Sequence, residues 1–481
     1  MHRITSASPA DLFGLDASRR IEQASAARLP AHALMRRAGL AVARLAAALA
    51  PHAQVIWIAC GPGNNGGDGF EAAAQLARRG FRLALTFAGD ETRLPDDARD
   101  ALQRARAAGA TPLSQPPADY DLAVDALLGL GATRAPAGRM ASWLSRLYDD
   151  SKPVLAVDLP SGLNADTGTA LFDLGTGSAG MRHCLSLLTL KPGLFTAQGR
   201  DAAGEVWFDD LGCSPAGEPP TARLAGAPAT RLRPHASHKG SYGDLAVIGG
   251  ASGMAGAALL AATAALHQGA GRVFLGLLDA SLPKLVAQRP ELMLRDPHTL
   301  ALADLTVVCG CGGGNAVRAM LPDVLAQTPR LVLDADALNA VAADGALQAL
   351  LAERSRCGAA TVLTPHPLEA ARLMGGDTAA VQQDRLAAAR VLAQRFGATV
   401  VLKGSGTIVA APDGVPVINA SGNARLATGG TGDVLAGMIG AGLAAGLGPA
   451  QAASEAVWRH GALADAWPSG QPLTAGALAA A

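Results

Sequence analysis

The chain lacks an excess of either charge. Lys plus Arg and Asp plus Glu both number 40 in 481 residues. A binder of nucleic acid or another polyanion would carry a basic surplus, so that class is not expected. Aromatic residues make up only 4%, so the core must be built by close approach of small side chains. Long hydrophobic runs are missing too. The most apolar stretches, residues 253–265 and 434–447, are Gly/Ala-rich and too short to span a bilayer. They predict buried helices and no membrane association. The cysteines at 60, 184, 213, 309, 311 and 357 are scattered. Cys309 and Cys311 stand too close for a usual zinc pair, and nothing nearby completes a site. Free thiols in a reducing cytoplasm are expected. The first thirty residues have no continuous apolar core, so no secretory leader is expected. Leu34, Met35, Ala38, Leu40, Ala41 and Leu45 recur instead at the spacing of an amphipathic helix.

Glycine, by contrast, is abundant at 57 residues. Short apolar runs alternate with Ala/Leu/Arg stretches of helical character. The runs fall at 55–59, 83–87, 122–124, 154–157 and 185–190, then at 245–248, 273–277, 305–308, 331–333, 361–363 and 399–402. Strands alternating with helices predict parallel sheets covered on both faces, here two three-layer αβα domains. The Pro/Gly/Ala-rich segment 213–233 has no apolar period and predicts a linker between domains at 1–212 and 234–481. Asp413-Gly414 between two apolar runs predicts a hairpin.

In such sheets ligands bind beyond the carboxyl ends of the strands, and the polar clusters fall there. Residues 427–437 read ATGGTGDVLAG. A Gly-rich turn opening a helix offers free backbone N–H groups and a positive dipole end to an anion. Asp433 in such a place suits a base that takes a proton from a hydroxyl attacking a phosphoryl group. Ahead of it come Asp334-Ala335-Asp336, Thr364-Pro365-His366-Pro367 and Lys403-Gly404-Ser405-Gly406-Thr407. The last suits a nucleotide phosphate without being a Walker loop. His366, fixed between prolines, reads equally as a surface residue or a ligand contact. Gly256 and Ala257 read equally as packing or ligand contacts.

In the N-terminal half GPGNNGGDGF follows the first of these runs. Its glycines let the backbone approach a phosphate, although the pattern is not the usual dinucleotide fingerprint. Asp125 and Asp158 each end a later run. Asn65, Asp125 and Ser161 could converge as oxygen ligands for a monovalent cation, leaving Asp158 for proton transfer.

GPGNNGGDG, VDALLG, VDLPSGLNADTG and TLKPGL, in that order, resemble the NAD(P)H-hydrate epimerase domain, a Rossmann-like fold. The resemblance implies substrate contacts at Asn64, Asn65, Gly66, Gly67 and Asp68, and at Gly129, Leu130, Gly131, Ala132, Thr133, Arg134 and Ala135. It implies potassium at Asn65, Asp125 and Ser161, and Asp158 beside the reacting carbon. HKGSYG, GGASGMAGA, LDADALN, TPHPLE, LKGSGT and ATGGTGDVLAG resemble the ADP-dependent NAD(P)H-hydrate dehydratases of the ribokinase-like superfamily. That resemblance implies Ala257, Gly312, Gly314 and His366 for the hydrated dinucleotide. It implies Lys403, Gly404, Ser405, Gly406, Thr407 and Gly432 for ADP or AMP, magnesium with the phosphates, and Asp433 as general base. The family's GPGLG is here Gly310-Cys311-Gly312-Gly313-Gly314, its TPHPGE has Leu368, and its GNPGMATGG has Ala424-Arg425-Leu426. The expected partners are hydrated NADH or NADPH, ADP and further copies of the chain. The Gly-rich turn alone permits a small-molecule kinase, and the N-terminal half alone permits a non-catalytic dinucleotide-binding module.

Overall fold

A computed structural model describes residues 1–132, 134–172, 180–215, 217–279, 281 and 289–481. The chain divides into two compact units, residues 1–5 with 10–222, and residues 6–9 with 223–481.

The first unit is built on a sheet ordered His2–Arg3, Glu205–Asp209, Arg182–Leu187, Val154–Val157, Leu122–Ala126, Ile56–Cys60, Leu83–Phe87. All neighbours are parallel except His2–Arg3, which runs antiparallel at one edge. The two-residue side-chain period sorts the central strand between two layers. Ile56, Ile58 and Cys60 pack with Val42, Phe70 and Leu102 of the helices Ala33–Leu49, Asn64–Arg78 and Asp96–Ala107. Trp57 and Ala59 pack with Trp143, Leu144 and Leu147 of the helix Arg139–Asp149. Both faces of the sheet are therefore covered. The amphipathic spacing in 34–45 is borne out by Ala33–Leu49, which buries Met35, Ala38, Ala41 and Leu45.

The second unit has parallel strands ordered Met293–Leu294, Arg272–Leu277, Asp244–Gly249, Thr306–Cys309, Arg330–Leu333, Ala360–Leu363 and Thr399–Leu402. Ile408–Ala410 and Val417–Ile418 then pair antiparallel around the Asp413-Gly414 turn, where Gly414 takes a left-handed φ of 114°. Leu245, Val247, Val308, Val332 and Val362 form one core with the helices Ala255–His267, Thr431–Ala444 and Pro449–Asp465. The expected α/β architecture with parallel sheets holds in both units.

Two segments differ from expectation. The glycines of NNGGDG do not form a turn open to a phosphate, because Asn64–Arg78 is helical from its first residue and only residues 61–63 remain as the turn. Its glycines serve close packing. A Cβ on Gly66 would stand 1.9 Å from the Gly61 carbonyl, and one on Gly69 would stand 2.7 Å from Cys60 Sγ. The segment 213–233 is not featureless either, since Arg223 and Leu224 of the strand Ala222–Leu224 pair with Val417 and Ile418. Among the described residues no helix is long and apolar enough to cross a membrane.

The helix Thr431–Ala444 lies against Ala255–His267 at a distance only glycine allows. A Cβ on Gly437 would fall 2.0 Å from the Ala261 carbonyl oxygen. Overpacking of this kind costs about 1–3 kcal/mol or more. Gly437→Ala is expected to lower the urea midpoint of the second unit accordingly, and an unchanged midpoint would refute this contact.

Candidate functional site

In the second unit the strand ends gather a compact polar cluster. Asp334 follows Arg330–Leu333, Lys403 follows Thr399–Leu402, and Cys311 follows Thr306–Cys309. Lys403 donates from Nζ to Asp334 Oδ1 at 2.7 Å and lies 3.9 Å from Glu369 Oε2. Thr364 Oγ1 donates to the same Asp334 oxygen at 2.7 Å. Asp433 sits in the first turn of Thr431–Ala444, behind Gly430, whose φ is 92°. One ligand atom each from Cys311, Asp334 and Asp433 lie within 4.8 Å of one another. A Cβ on Gly432 would be 3.3 Å from Lys403 Nζ. Asp433, Gly432 and Lys403 are thus brought together at one end of the sheet.

Electrostatics suit a base. Burial, then the Asp334 charge, pushes the Asp433 carboxyl up to about 6, while Cys311 and Lys403 oppose the rise. Burial beside the same carboxylates pushes the Cys311 thiol well up, so it stays protonated. His460 lies under the turn, its Nε2 2.9 Å from the Thr431 carbonyl. Burial pushes His460 down to about 4. It is therefore neutral near pH 7, and its Nε2–H donates to that carbonyl.

Ala257, Gly312 and Gly314 form a second group around Met254. A Cβ on Gly312 would stand 2.9 Å from Ala257 Cβ, and one on Gly314 2.9 Å from Met254 Cε. Both glycines have left-handed φ angles, which an L side chain resists. Gly314 N–H donates to Asp336 Oδ2 at 2.8 Å. His366 has a structural task that explains its rigid setting. Its Nδ1 accepts from Leu368 N at 3.1 Å and Glu369 N at 3.4 Å, capping the helix Pro367–Met374. Glu369 returns the bond to His366 N at 2.8 Å. Gly404 and Gly406 also have positive φ, and Thr407 Oγ1 donates to the Gly404 carbonyl at 3.1 Å, closing the turn after Lys403. Ser405 lies exposed at that turn.

The first unit holds a cavity of about 270 Å³. Asn64, Asp68, Leu130 and Asp158 line it, and so do Ser18, Glu22 and His32. Asn65, Gly66, Gly67, Gly129, Gly131, Ala132, Arg134 and Ala135 are not among the lining residues, and Thr133 lies outside the described residues. Gly66 and Gly67 instead face Gly61, Met35 and Ala98, for the packing reason given above. Asp158 ends Val154–Val157 with φ at 66°, unusual for a residue with a side chain. Its Oδ1 accepts from Leu187 N at 3.0 Å and from Lys191 Nζ. Lys191 is fully buried and also donates to the Leu187 carbonyl at 2.9 Å. Composition gave no sign of this lysine. It stands in the quoted TLKPGL segment, where only the fold shows that it meets Asp158.

Asp125 and Ser161 are in direct contact, and Asn65 meets Ser161 through the Leu128 carbonyl that both approach. Ser161 Oγ donates to Asp125 Oδ1 at 2.6 Å, Ser161 N donates to Oδ2 at 2.9 Å, and Asn65 Nδ2 donates to the Leu128 carbonyl at 3.1 Å. Burial raises the Asp125 carboxyl above its ordinary range, with these hydrogen bonds opposing. An all-oxygen set around a buried carboxylate fits a hard cation.

The family model described as NAD(P)H-hydrate dehydratase matches residues 245–480, and that of the YjeF-related protein N-terminus matches residues 31–193. The bifunctional NAD(P)H-hydrate repair enzyme Nnr of Escherichia coli K12 is 37% identical over 461 residues, covering 92% of this chain and 87% of that protein. The chain belongs to the bifunctional NAD(P)H-hydrate repair enzymes. Other similar proteins include the ADP-dependent (S)-NAD(P)H-hydrate dehydratase of Neisseria meningitidis. It is 45% identical over 256 residues, covering 52% of this chain and 85% of its own. A solved ADP/ATP-dependent NAD(P)H-hydrate dehydratase of Bacillus subtilis, co-crystallised with ATP and magnesium, is 30% identical. It covers 52% of this chain and 91% of its own, with a TM-score of 0.44.

The Lys191–Asp158 pair is buried at the end of a strand, so each group relies on the other for its charge. Removing one partner of a buried pair typically costs about 3–5 kcal/mol. Lys191→Met should destabilise the first unit by that order in denaturant titration, and adding Asp158→Asn should restore much of the loss. Equal destabilisation by the single and double variants would show that the pairing is not what matters.

Proposed function

We propose that the chain repairs hydrated NADH and NADPH at two sites. The first unit interconverts the R and S epimers at C6 of the nicotinamide ring, and the second dehydrates the S form at the expense of ADP. The observation that carries this reading is Asp433, half-buried and raised to about 6, at the mouth of a glycine turn beside Lys403. A base with this value is ionised near neutral pH yet still takes a proton readily.

Hydroxide is a poor leaving group, and phosphate is a good one. Asp433 takes the proton of the C6 hydroxyl as its oxygen attacks the β-phosphorus of ADP. The bond from that phosphorus to AMP breaks, and backbone N–H groups of the turn at 429–432 stabilise the developing charge. The ring-nitrogen lone pair then expels phosphate from C6, and loss of the C5 proton restores the dihydropyridine. Lys403 steers the nucleotide phosphates and is itself held by Asp334. Ala257, Gly312 and Gly314 leave room for the dinucleotide, and the ring of His366 borders the same strand ends. Cys311 makes its cluster a poor cage for magnesium, which prefers oxygen ligands, so the metal would be held chiefly by the nucleotide phosphates and would offset their charge. Potassium would be held by Asn65, Asp125 and Ser161, where it neutralises a buried carboxylate and fixes the turn after Leu128. A base and an in-line phosphoryl group define one face of the ring, so only one epimer can react. An epimerase on the same chain supplies it. A cytoplasmic location agrees with six unpaired cysteines.

Asp433→Asn should lower ADP-dependent turnover by about 10²–10⁴-fold. In the wild type kcat/KM should fall as pH drops through about 6, where Asp433 takes up a proton. Lys403→Met removes a charge that favours the ionised form, so that limb should move to higher pH. An Asp433→Asn protein that folds and turns over normally would remove Asp433 from the mechanism, and release of a stable phosphorylated product would point to a small-molecule kinase. Exchanging potassium for tetramethylammonium should slow epimer interconversion, measured chromatographically without ADP. Equal rates in the two salts would leave Asp125 without a cation.

A further inference from the structure

We propose that Glu22 is a second proton-transfer group of the first unit, acting opposite in role to Asp158 in the same cavity. This rests on reading that cavity as the epimerase site. Ser18, Glu22 and Ala26 recur every four residues on the helix Leu15–Ala26 and all line the cavity. One face of this helix is therefore given to the cavity. The face is anchored, since Ser18 Oγ meets Thr189 Oγ1 at 2.8 Å. Among the described residues no hydrogen bond or ion pair engages the Glu22 carboxyl, and the residue is exposed on the cavity wall.

Asp158 has the contrary setting. Leu187 N–H and Lys191 Nζ both donate to its Oδ1, which fixes this carboxylate on the cavity wall. Partial desolvation at the cavity wall, followed by the Asp158 charge, raises the Glu22 carboxyl above its ordinary range, with Lys191 and Arg19 opposing and Asp97 adding to the rise. One carboxyl held by donors and one without them, on the same cavity, are suited to different proton-transfer roles. Asp68, the third carboxyl lining the cavity, is also raised by burial and by Asp158 and Glu22. It sits in the closely packed first turns of Asn64–Arg78, whereas Glu22 meets solvent and can be recharged after each turnover.

The chemistry balances with these two groups and water. Glu22 gives its proton to the C6 hydroxyl, the C6–O bond breaks, and water leaves. The ring-nitrogen lone pair forms the C=N bond of an iminium cation. Water adds to the other face of C6, the π electrons return to nitrogen, and Asp158 takes the proton from the adding water. Solvent then returns one proton to Glu22 and removes one from Asp158. No oxidant or reductant is consumed.

The experiment uses the full chain with chemically hydrated NADH, without ADP, and follows both epimers in ¹⁸O-labelled water. Wild type should interconvert them with solvent oxygen entering C6 in step with inversion. Glu22→Gln should lower kcat by about 10²-fold or more with little change in KM. Glu22→Asp should recover part of the rate, and the high-pH limb of the profile, where the acid is lost, should vanish in Glu22→Gln. The proposal is overturned if folded Glu22→Gln keeps near wild-type kcat, if only KM changes, or if Asp68→Asn alone abolishes the high-pH limb. Inversion without ¹⁸O entry overturns the water step. A wild type that does not interconvert epimers would instead defeat the epimerase reading itself.

Discussion

Each unit depends on one lysine–aspartate pair buried at the carboxyl ends of parallel strands. Lys191 meets Asp158 in the first unit, and Lys403 meets Asp334 in the second. Parallel strands all deliver their ends to one edge, so polar residues placed there crowd together. Carboxylates collected in this way repel one another and resist burial. A single ammonium group relieves the strongest conflict and leaves the remaining acids with raised proton affinity. Asp433 beside Asp334, and Glu22 and Asp68 beside Asp158, are in that position. Raised proton affinity at these acids is thus a consequence of the topology rather than of any one residue.

Glycine performs a second task that its motifs disguise. In Asn64–Arg78 the glycines bring the helix onto the sheet, with Gly66 against Gly61 and Gly69 against Cys60. That contact sets Asn64 and Asp68, one turn apart, on the cavity, and Asn65 against the Leu128 carbonyl that Ser161 also meets. In the second unit Gly437 and Gly440 draw Thr431–Ala444 onto Ala261 and Val308. The helix start at Gly430 then lies where Asp433 can reach the strand-end cluster. A chain with few aromatics builds its core and its sites by the same close approaches.

Much of this was legible in the residues. Alternating apolar runs located most strands within a residue or two, because buried parallel strands need continuous Val, Ile and Leu. Glu205–Asp209 escaped notice because its polar ends break the apolar run. Asp433 and Lys403 were legible because glycine turns beside charged groups are rare outside anion sites. Lys191, Glu22, Asp334 and Cys311 were harder. Lys191 meets a residue 33 positions away, and Asp334 meets one 69 positions away. No local pattern reports such pairings. His366 illustrates a task no motif announces, since its Nδ1 caps the helix Pro367–Met374.

The sequence by itself determined the α/β class, the glycine turns, and the identity of the acids and bases available for chemistry. These are local properties, fixed by side-chain period and by the φ angles glycine permits. Only the tertiary structure decided which acids share a cavity, which lysine offsets them, and which proton affinities rise. Those depend on distance and burial, and neither is written along the chain.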